Sequence, residues 1–403
     1  MLGPLRLSLA ARAGALASQL SQAVGKGRGE TIQGRVILGL DPDALQKLSV
    51  GRDIILVSGT NGKTTTTAFL ARILSDGTDE NVSTSEFGAN MSAGIATVLA
   101  ARPRNRYVVL ECDELYLPAM CAALRPKVVV LLNLSRDQLH RTGEVRKVAN
   151  LWRDSFTGDE MTFVINRDDP FLEYAVADAG HVLRITFGGR KHPDAATCPS
   201  CSALLDWSKG DYRCSCGLGT SSAEIRADQR LSGPGRNAVL AIEAARLMGA
   251  VVPVQVQTDL TAEAPDRVAS YQVGNRQVQT RLAKNPESWR ESLAQISAKH
   301  VVLSVNARGI DGRDTSWLWD VDYSSLLGKQ VVCTGERRKD VAYRLSVQGI
   351  DVRLADSFAL AAQALESDAS DQEAIEAIAS YTAFQDLAAA ALGLNNATTG
   401  VDR

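Results

Sequence analysis

No apolar run in this sequence approaches the ~18–20 residues that a membrane-spanning helix requires, so none of the 403 residues is assigned to a transmembrane helix. Charge of one sign is not in excess, since 44 Lys and Arg against 46 Asp and Glu leave a net charge of −2. A general electrostatic pull toward nucleic acid or an anionic surface is thereby excluded. Histidine is scarce, with four in the chain, and none stands in a recognisable cysteine–histidine nucleophile motif. The seven cysteines are an odd number, and without a signal peptide they argue against a disulfide framework. Three of them, Cys112, Cys121 and Cys333, lie in or beside apolar segments and are expected to be small buried hydrophobes. Leu2 to Leu20 is rich in Ala and Leu, with Arg6 and Arg12 and no acid. An amphipathic first helix is expected there in preference to a transit peptide, and with it a cytoplasmic protein.

What is present is length enough for two or three domains and one organising stretch. Asp53-Ile54-Ile55-Leu56-Val57-Ser58 reads as a buried parallel strand, Gly59-Thr60-Asn61-Gly62 as a glycine loop, and Lys63-Thr64-Thr65 as the start of a helix running to Leu74. Strand, loop and helix N-terminus together form a phosphate cradle. Backbone N–H groups and the positive end of the helix face the anion, Lys63 adds a point charge, and the Thr64 hydroxyl suits Mg²⁺. The strict P-loop spacing is not met, because Val57 stands where its first glycine would be. The expected nucleotide-binding set is Gly59, Thr60, Asn61, Gly62, Lys63, Thr64 and Thr65, with ATP as the ligand.

Further apolar strands are expected at Tyr107–Leu110, ending in the acids Glu111, Asp113 and Glu114, and at Val128–Leu132 and Thr162–Ile165. Alternation of such strands with helical stretches indicates a doubly wound, mostly parallel α/β sheet, which binds ligands beyond the carboxyl ends of its strands. Glu111 falls at such an end, where a carboxylate can complete a Mg²⁺ site with Thr64. A Val-rich, Pro-containing stretch from Val251 to Pro265 marks the expected boundary between residues 1–260 and a smaller, Rossmann-like α/β domain, 261–403. In the latter, Asp311-Gly312-Arg313-Asp314-Thr315-Ser316-Trp317-Leu318-Trp319-Asp320 concentrates acids and tryptophans on a loop after a strand, more than a capped turn needs.

Between about 191 and 222 an insert carries Cys198-Pro199-Ser200-Cys201 and Cys214-Ser215-Cys216. Paired thiols on two knuckle-like turns suit tetrahedral Zn²⁺, as in a zinc ribbon, and four thiolates leave no open position, so the metal is structural. No basic or aromatic stripe accompanies it, which speaks against nucleic-acid binding.

The loop Gly59-Thr60-Asn61-Gly62-Lys63-Thr64 resembles that of the Mur ligase family. So do Asn133-Leu134-Ser135-Arg136-Asp137-Gln138-Leu139-His140-Arg141 and Asn166-Arg167-Asp168-Asp169-Pro170, although Gln138 and His140 replace a histidine and an aspartate of the amino-acid-adding members. Glu111 matches the family's strand-end glutamate, and Asn237, in Gly233-Pro234-Gly235-Arg236-Asn237-Ala238, matches an asparagine that reads adenine. Lys284-Asn285-Pro286, the Asp311–Asp320 segment, Thr334-Gly335-Glu336-Arg337 and the four-cysteine insert are similar to the MurT branch of the family. That resemblance implies a Mur ligase-like P-loop domain and an ATP-dependent amidation of the D-glutamate α-carboxyl in the lipid II stem peptide, through an acyl phosphate. It also implies ammonia from a GatD-type glutaminase partner, whose histidine is oriented by an aspartate of this chain, Asp314 or Asp311. Two other readings compete: a free-standing amino-acid ligase of the Mur or folylpolyglutamate type, and a zinc-ribbon ATPase acting as a nucleic-acid or signalling switch.

Overall fold

A computed structural model describes residues 3–23, 30–85, 89–137, 143–189, 191–252, 268–273, 276–312, 314–366 and 374–391. The chain forms two compact units, Met1–Ser135 with Glu144–Ala262, and Arg136–Gly143 with Glu263–Arg403. The expected boundary stretch lies largely in 253–267, outside the described residues.

The first unit is built on strands β1 (Asp53–Ser58), β2 (Val82–Thr84), β3 (Tyr107–Glu111), β4 (Val128–Leu131), β5 (Gly158–Asn166), β6 (Ala179–Thr186) and β7 (Ile225–Arg226), in the order β2-β3-β1-β4-β5-β6-β7. Every neighbouring pair is parallel. Successive side chains of a strand point to opposite faces, and here both faces are covered. Ile54, Leu56, Val108, Leu110, Val129 and Leu131 enter one core with Trp152, Phe156 and Phe163. Ile55, Val57, Val109, Val128 and Val130 enter another against the helices Lys63–Thr78 and Gly233–Leu247. A strand buried on both sides is apolar through its interior, which is why Ile54–Val57 of β1 and all of β4 read as continuous runs.

The second unit holds β8 (Val268–Val273), β9 (Arg276–Leu282), β10 (His300–Ser304), β11 (Gln330–Thr334), β12 (Val352–Leu354) and β13 (Ile375–Ala379), in the order β12-β11-β10-β13-β9-β8. Only β8 runs antiparallel to its neighbour. Trp289 and Tyr323 are fully buried beneath β10 and β11, and Trp317 packs on Trp289 with ring centroids 5.7 Å apart.

The observed elements differ from the expected ones at several ends. The helix expected to end at Leu74 runs on to Thr78. The helix carrying Asn237 begins at Gly233, because Ser232 accepts a hydrogen bond from the Gly235 N–H and Pro234 suits the first turn. Among the described residues no helix is long and apolar enough to cross a membrane.

Candidate active site

The loop after β1 is clamped from the β4 side. Asn61 N–H donates to Asn133 Oδ1 at 2.9 Å, and Asn133 Nδ2 returns a bond to the Asn61 carbonyl at 3.0 Å. Thr60 N–H donates to the Asn133 carbonyl, and Ser135 N–H donates to Thr60 Oγ1. Gly59 has φ +136° and Gly62 has φ +87°, values that side chains resist. A Cβ on Gly59 would meet the Asn133 carbonyl at 2.9 Å, and one on Gly62 would meet Asn237 Nδ2 at 2.0 Å. The structure therefore brings Asn237 against the phosphate loop.

The helix Lys63–Thr78 starts immediately after Gly62, so its free N–H groups and positive end open onto the loop. Lys63 is 8 % exposed; its Nζ donates to the Gly59 carbonyl and sits 3.2 Å from Glu114 Oε1. Thr64 Oγ1 donates to Glu111 Oε2 at 2.7 Å, while Glu111 Oε1 accepts from Asn90 Nδ2 and Glu111 N–H donates to Ser85 Oγ. Cis ligands of an octahedral ion bound at 2.0–2.1 Å stand about 2.9 Å apart, so this pair of oxygens suits Mg²⁺. Thr65 follows in the first helical turn, half-buried.

Glu114 is the residue that motif reading underrated: its carboxylate neutralises Lys63, and its carbonyl accepts the Trp152 indole N–H at 2.8 Å. Asp113 Oδ1 instead accepts from Leu115 N–H in a local turn. Cys112 and Cys121 are buried, and burial pushes both thiols up, Cys121 to about 12, which makes them inert. Burial likewise pushes Cys333 to about 12. Gln138 and His140 lie outside the described residues.

The four insert cysteines bring their Sγ atoms within 4.8 Å of one another. Cys198 and Cys216 are 3.6 Å apart and Cys201 and Cys214 3.3 Å apart, as reduced thiols. Zn–S bonds of about 2.3 Å in a tetrahedron require S–S separations of about 3.8 Å, so the cluster fits that metal. Asp206 and Arg213 exchange backbone hydrogen bonds and form the hairpin between the knuckles. Burial raises Cys198 to about 12, whereas the Cys216 N–H, donating to the Cys214 sulfur, lowers Cys214 to about 6.

In the second unit the two candidate aspartates differ. Both oxygens of Asp311 are engaged, by the N–H and hydroxyl of Thr382 and by the Arg308 N–H. Asp314 is exposed; its Oδ1 accepts from Ser316 N–H at 2.8 Å. Asp320 pairs with Arg136 at 2.9 Å, and Lys284 with Asp137 at 2.8 Å.

Residues 57–207 match the Mur ligase middle domain, and residues 282–384 match the MurT ligase C-terminal domain. The chain is 28 % identical over 382 residues to the lipid II isoglutaminyl synthase (glutamine-hydrolyzing) subunit MurT of Staphylococcus aureus (strain N315), covering 84 % of this chain and 87 % of that one. It is 29 % identical to the subunit of the same name from Streptococcus pneumoniae (strain ATCC BAA-255 / R6), over 80 % of this chain and 83 % of that one. Among solved structures, a pseudomurein peptide ligase type C from Methanothermus fervidus superposes with a TM-score of 0.61 at 16 % identity, covering 83 % of this chain and 77 % of that one. The MurF ligase of Thermotoga maritima, solved in complex with ADP, gives 0.60 at 14 % identity, over 88 % and 82 %. These two likenesses establish the Mur ligase-like fold.

Proposed function

The chain belongs to the MurT branch of the Mur ligase family, and from that premise we propose that it is the synthase subunit of a lipid II isoglutaminyl synthase. The reaction is ATP-dependent amidation of the D-glutamate α-carboxyl in the lipid II stem peptide. The observation that carries this reading is the meeting of Lys63, Thr64 and Glu111 at the carboxyl ends of β1 and β3. The substrate carboxylate attacks the γ-phosphorus of ATP and ADP leaves, giving an acyl phosphate; ammonia then attacks the carbonyl carbon, inorganic phosphate leaves, and the amide remains.

This chain's part is positioning and electrostatics. Gly59 to Thr65 supply the backbone cradle, and Asn133 holds it rigid. Lys63 leaves Glu114 for the β- and γ-phosphates, and Asn237 reads the adenine. Thr64 and Glu111 hold Mg²⁺, which when bound neutralises charge on the transferred phosphoryl group. Cys198, Cys201, Cys214 and Cys216 hold a structural Zn²⁺. Residues 1–260 form the nucleotide-binding domain with the insert at about 191–222, and 261–403 meet a GatD-type glutaminase that supplies ammonia. Asp314, exposed on that domain, orients the partner's histidine, and Asp311, whose oxygens already serve the backbone, is the lesser candidate. The protein works in the cytoplasm and touches the membrane only through its lipid-linked substrate.

The test is the purified chain with ATP, lipid II and ammonium salt. Amidation is expected, and Lys63→Ala should slow it by about 10²–10³-fold, the usual cost of one preorganised charge donor. An unchanged rate in Lys63→Ala would sink the reading. Incorporation of an amino acid in place of ammonia, or ATP turnover driven only by nucleic acid, would replace it with one of the competing readings.

A further inference from the structure

The insert that carries the four cysteines is not hung loosely from the sheet. Arg167, at the end of β5 and 6 % exposed, reaches into it with its whole guanidinium. Nε donates to the Ser221 carbonyl at 2.7 Å, Nη2 to the Gly219 carbonyl at 2.8 Å, and Nη1 to Asp211 at 2.7 Å. In return the hydroxyl of fully buried Tyr212 donates to the Arg167 carbonyl at 3.0 Å. All these partners flank the second cysteine pair, so the fold that a metal imposes on Cys214 and Cys216 also fixes the groups that hold Arg167.

Two residues on, the same turn grips the phosphate loop's own clamp. Asp169, 2 % exposed, accepts the Leu134 N–H at 2.8 Å, and its carboxylate also lies 3.5 Å from His192 Nε2 at the start of the insert. Leu134 is the neighbour of Asn133, which exchanges two hydrogen bonds with Asn61 and accepts the Thr60 N–H. A continuous set of buried and part-buried hydrogen bonds thus runs from the cysteine insert through the Arg167–Asp169 turn and the Asn133–Leu134 segment to the backbone that would face phosphate. From the insert as far as Asn133, no residue of this path needs to touch the nucleotide.

We infer that Arg167 is a positioning residue that couples metal occupancy of the cysteine insert to the affinity of the phosphate loop for nucleotide. The inference rests on the reading of that loop as a nucleotide site. If the insert served stability alone, its loss would lower the melting temperature and leave the affinity of the folded fraction unchanged. Coupling makes a different demand, because it is reciprocal: zinc must tighten nucleotide binding by the same factor by which nucleotide tightens zinc.

The experiment uses the full chain loaded with one zinc, with Mg·ADP as the probe in calorimetric titration and zinc release to a chelator as the second readout. Arg167→Ala should keep its zinc yet bind Mg·ADP about tenfold more weakly, with KM for ATP raised and kcat little changed. Arg167→Lys should recover only part of this, since an ammonium cannot span the three acceptors that the planar fork reaches. Asp211→Asn, which removes one contact at a half-exposed site, should give a smaller change in the same direction even if the alanine variant fails to fold. In the unaltered protein Mg·ADP should strengthen zinc retention about tenfold, and in Arg167→Ala it should not. Equal Mg·ADP affinity in zinc-loaded, zinc-stripped, Arg167 and Asp211 forms would overturn the coupling while leaving the nucleotide site intact. No binding by the zinc-loaded unaltered chain would overturn the nucleotide reading, and the coupling with it.

Discussion

Asp311 and Asp314 stand three positions apart on one loop, yet their carboxylates do different work. Asp311 receives the Thr382 N–H and hydroxyl at the start of the helix Tyr381–Ala391, so Asp311→Asn places an amide donor against a backbone donor. A loss of about 1–2 kcal/mol, the usual scale of a helix cap, is expected in denaturant unfolding, with ammonia-dependent amidation largely kept. Asp314→Asn should leave unfolding unchanged and ammonium-dependent amidation intact, while glutamine-dependent amidation with the partner falls by about 10²-fold or more. A fall in both activities would remove Asp314 from the partner's site. Gly62→Ala has two separable costs: the left-handed φ of +87° and the clash with Asn237 Nδ2. We expect KM for ATP to rise about tenfold; Asn237→Ala carries its own cost at the adenine, and the Gly62→Ala/Asn237→Ala double variant should lose less than the sum of the two single losses, whereas strict additivity would deny the contact. The phosphate loop residues and the thiols were legible because their chemistry demands fixed types at fixed spacing. Glu114 and Asn133 were not, since a carboxylate paired with Lys63 and an amide bracing Asn61 look in sequence like any strand-end acid or polar turn.

At the scale of elements, β1, β3 and β4 could be read directly because burial on both faces keeps polar residues to the strand ends and leaves the interior of each run apolar. β13 escaped notice for a physical reason: Glu376 interrupts Ile375–Ala379, and only the fold supplies the Ser297 and Ala298 N–H groups that its carboxylate accepts. β6 carries His181 and Arg184 on a partly exposed strand, so its sequence lacks a clean period. The cysteine cluster was visible in the spacing of its thiols, but the insert's attachment through Arg167 depends on carbonyls that any sequence offers. The central strands also share an ionic tie at their amino ends. Asp53 of β1 meets Arg106, which precedes β3, and Lys127, which precedes β4. Burial alone would raise the Asp53 pKa, but the hydrogen bonds and charges of Lys127 and Arg106 outweigh it and hold the carboxyl below its ordinary value. A carboxylate with a depressed folded pKa adds stability above its unfolded pKa and loses it as pH falls through the folded value. Asp53→Asn should therefore cost about 1 kcal/mol at pH 7, a modest figure because both cationic partners are more than half exposed. The difference from the unaltered protein should shrink toward zero as pH falls through the lowered folded pKa, where the carboxyl becomes protonated in both states. A difference that persists undiminished in acid would assign the cost to packing.

Across the whole molecule, one of the two units presents the phosphate loop and the other carries the loop with Asp314. Cys112, Cys121 and Cys333 are buried thiols raised by their surroundings, and the remaining four cysteines form one cluster. On the proposed function, nitrogen reaches the acyl phosphate as ammonia made by the partner, and that supply can be tested apart from the activation step. Alone, the chain should amidate lipid II with ammonium salt and be inert with glutamine, its rate rising with pH as the unprotonated fraction of ammonia grows. Adding the glutaminase should confer glutamine dependence and flatten that pH profile, because ammonia then arrives without equilibrating with bulk ammonium. Lys63→Ala should slow both modes by the same factor, since each needs the carboxylate activated first, whereas Asp314→Asn should spare the ammonium mode alone. Glutamine use by the isolated chain would place the nitrogen chemistry within this polypeptide and undo the division of labour between subunits.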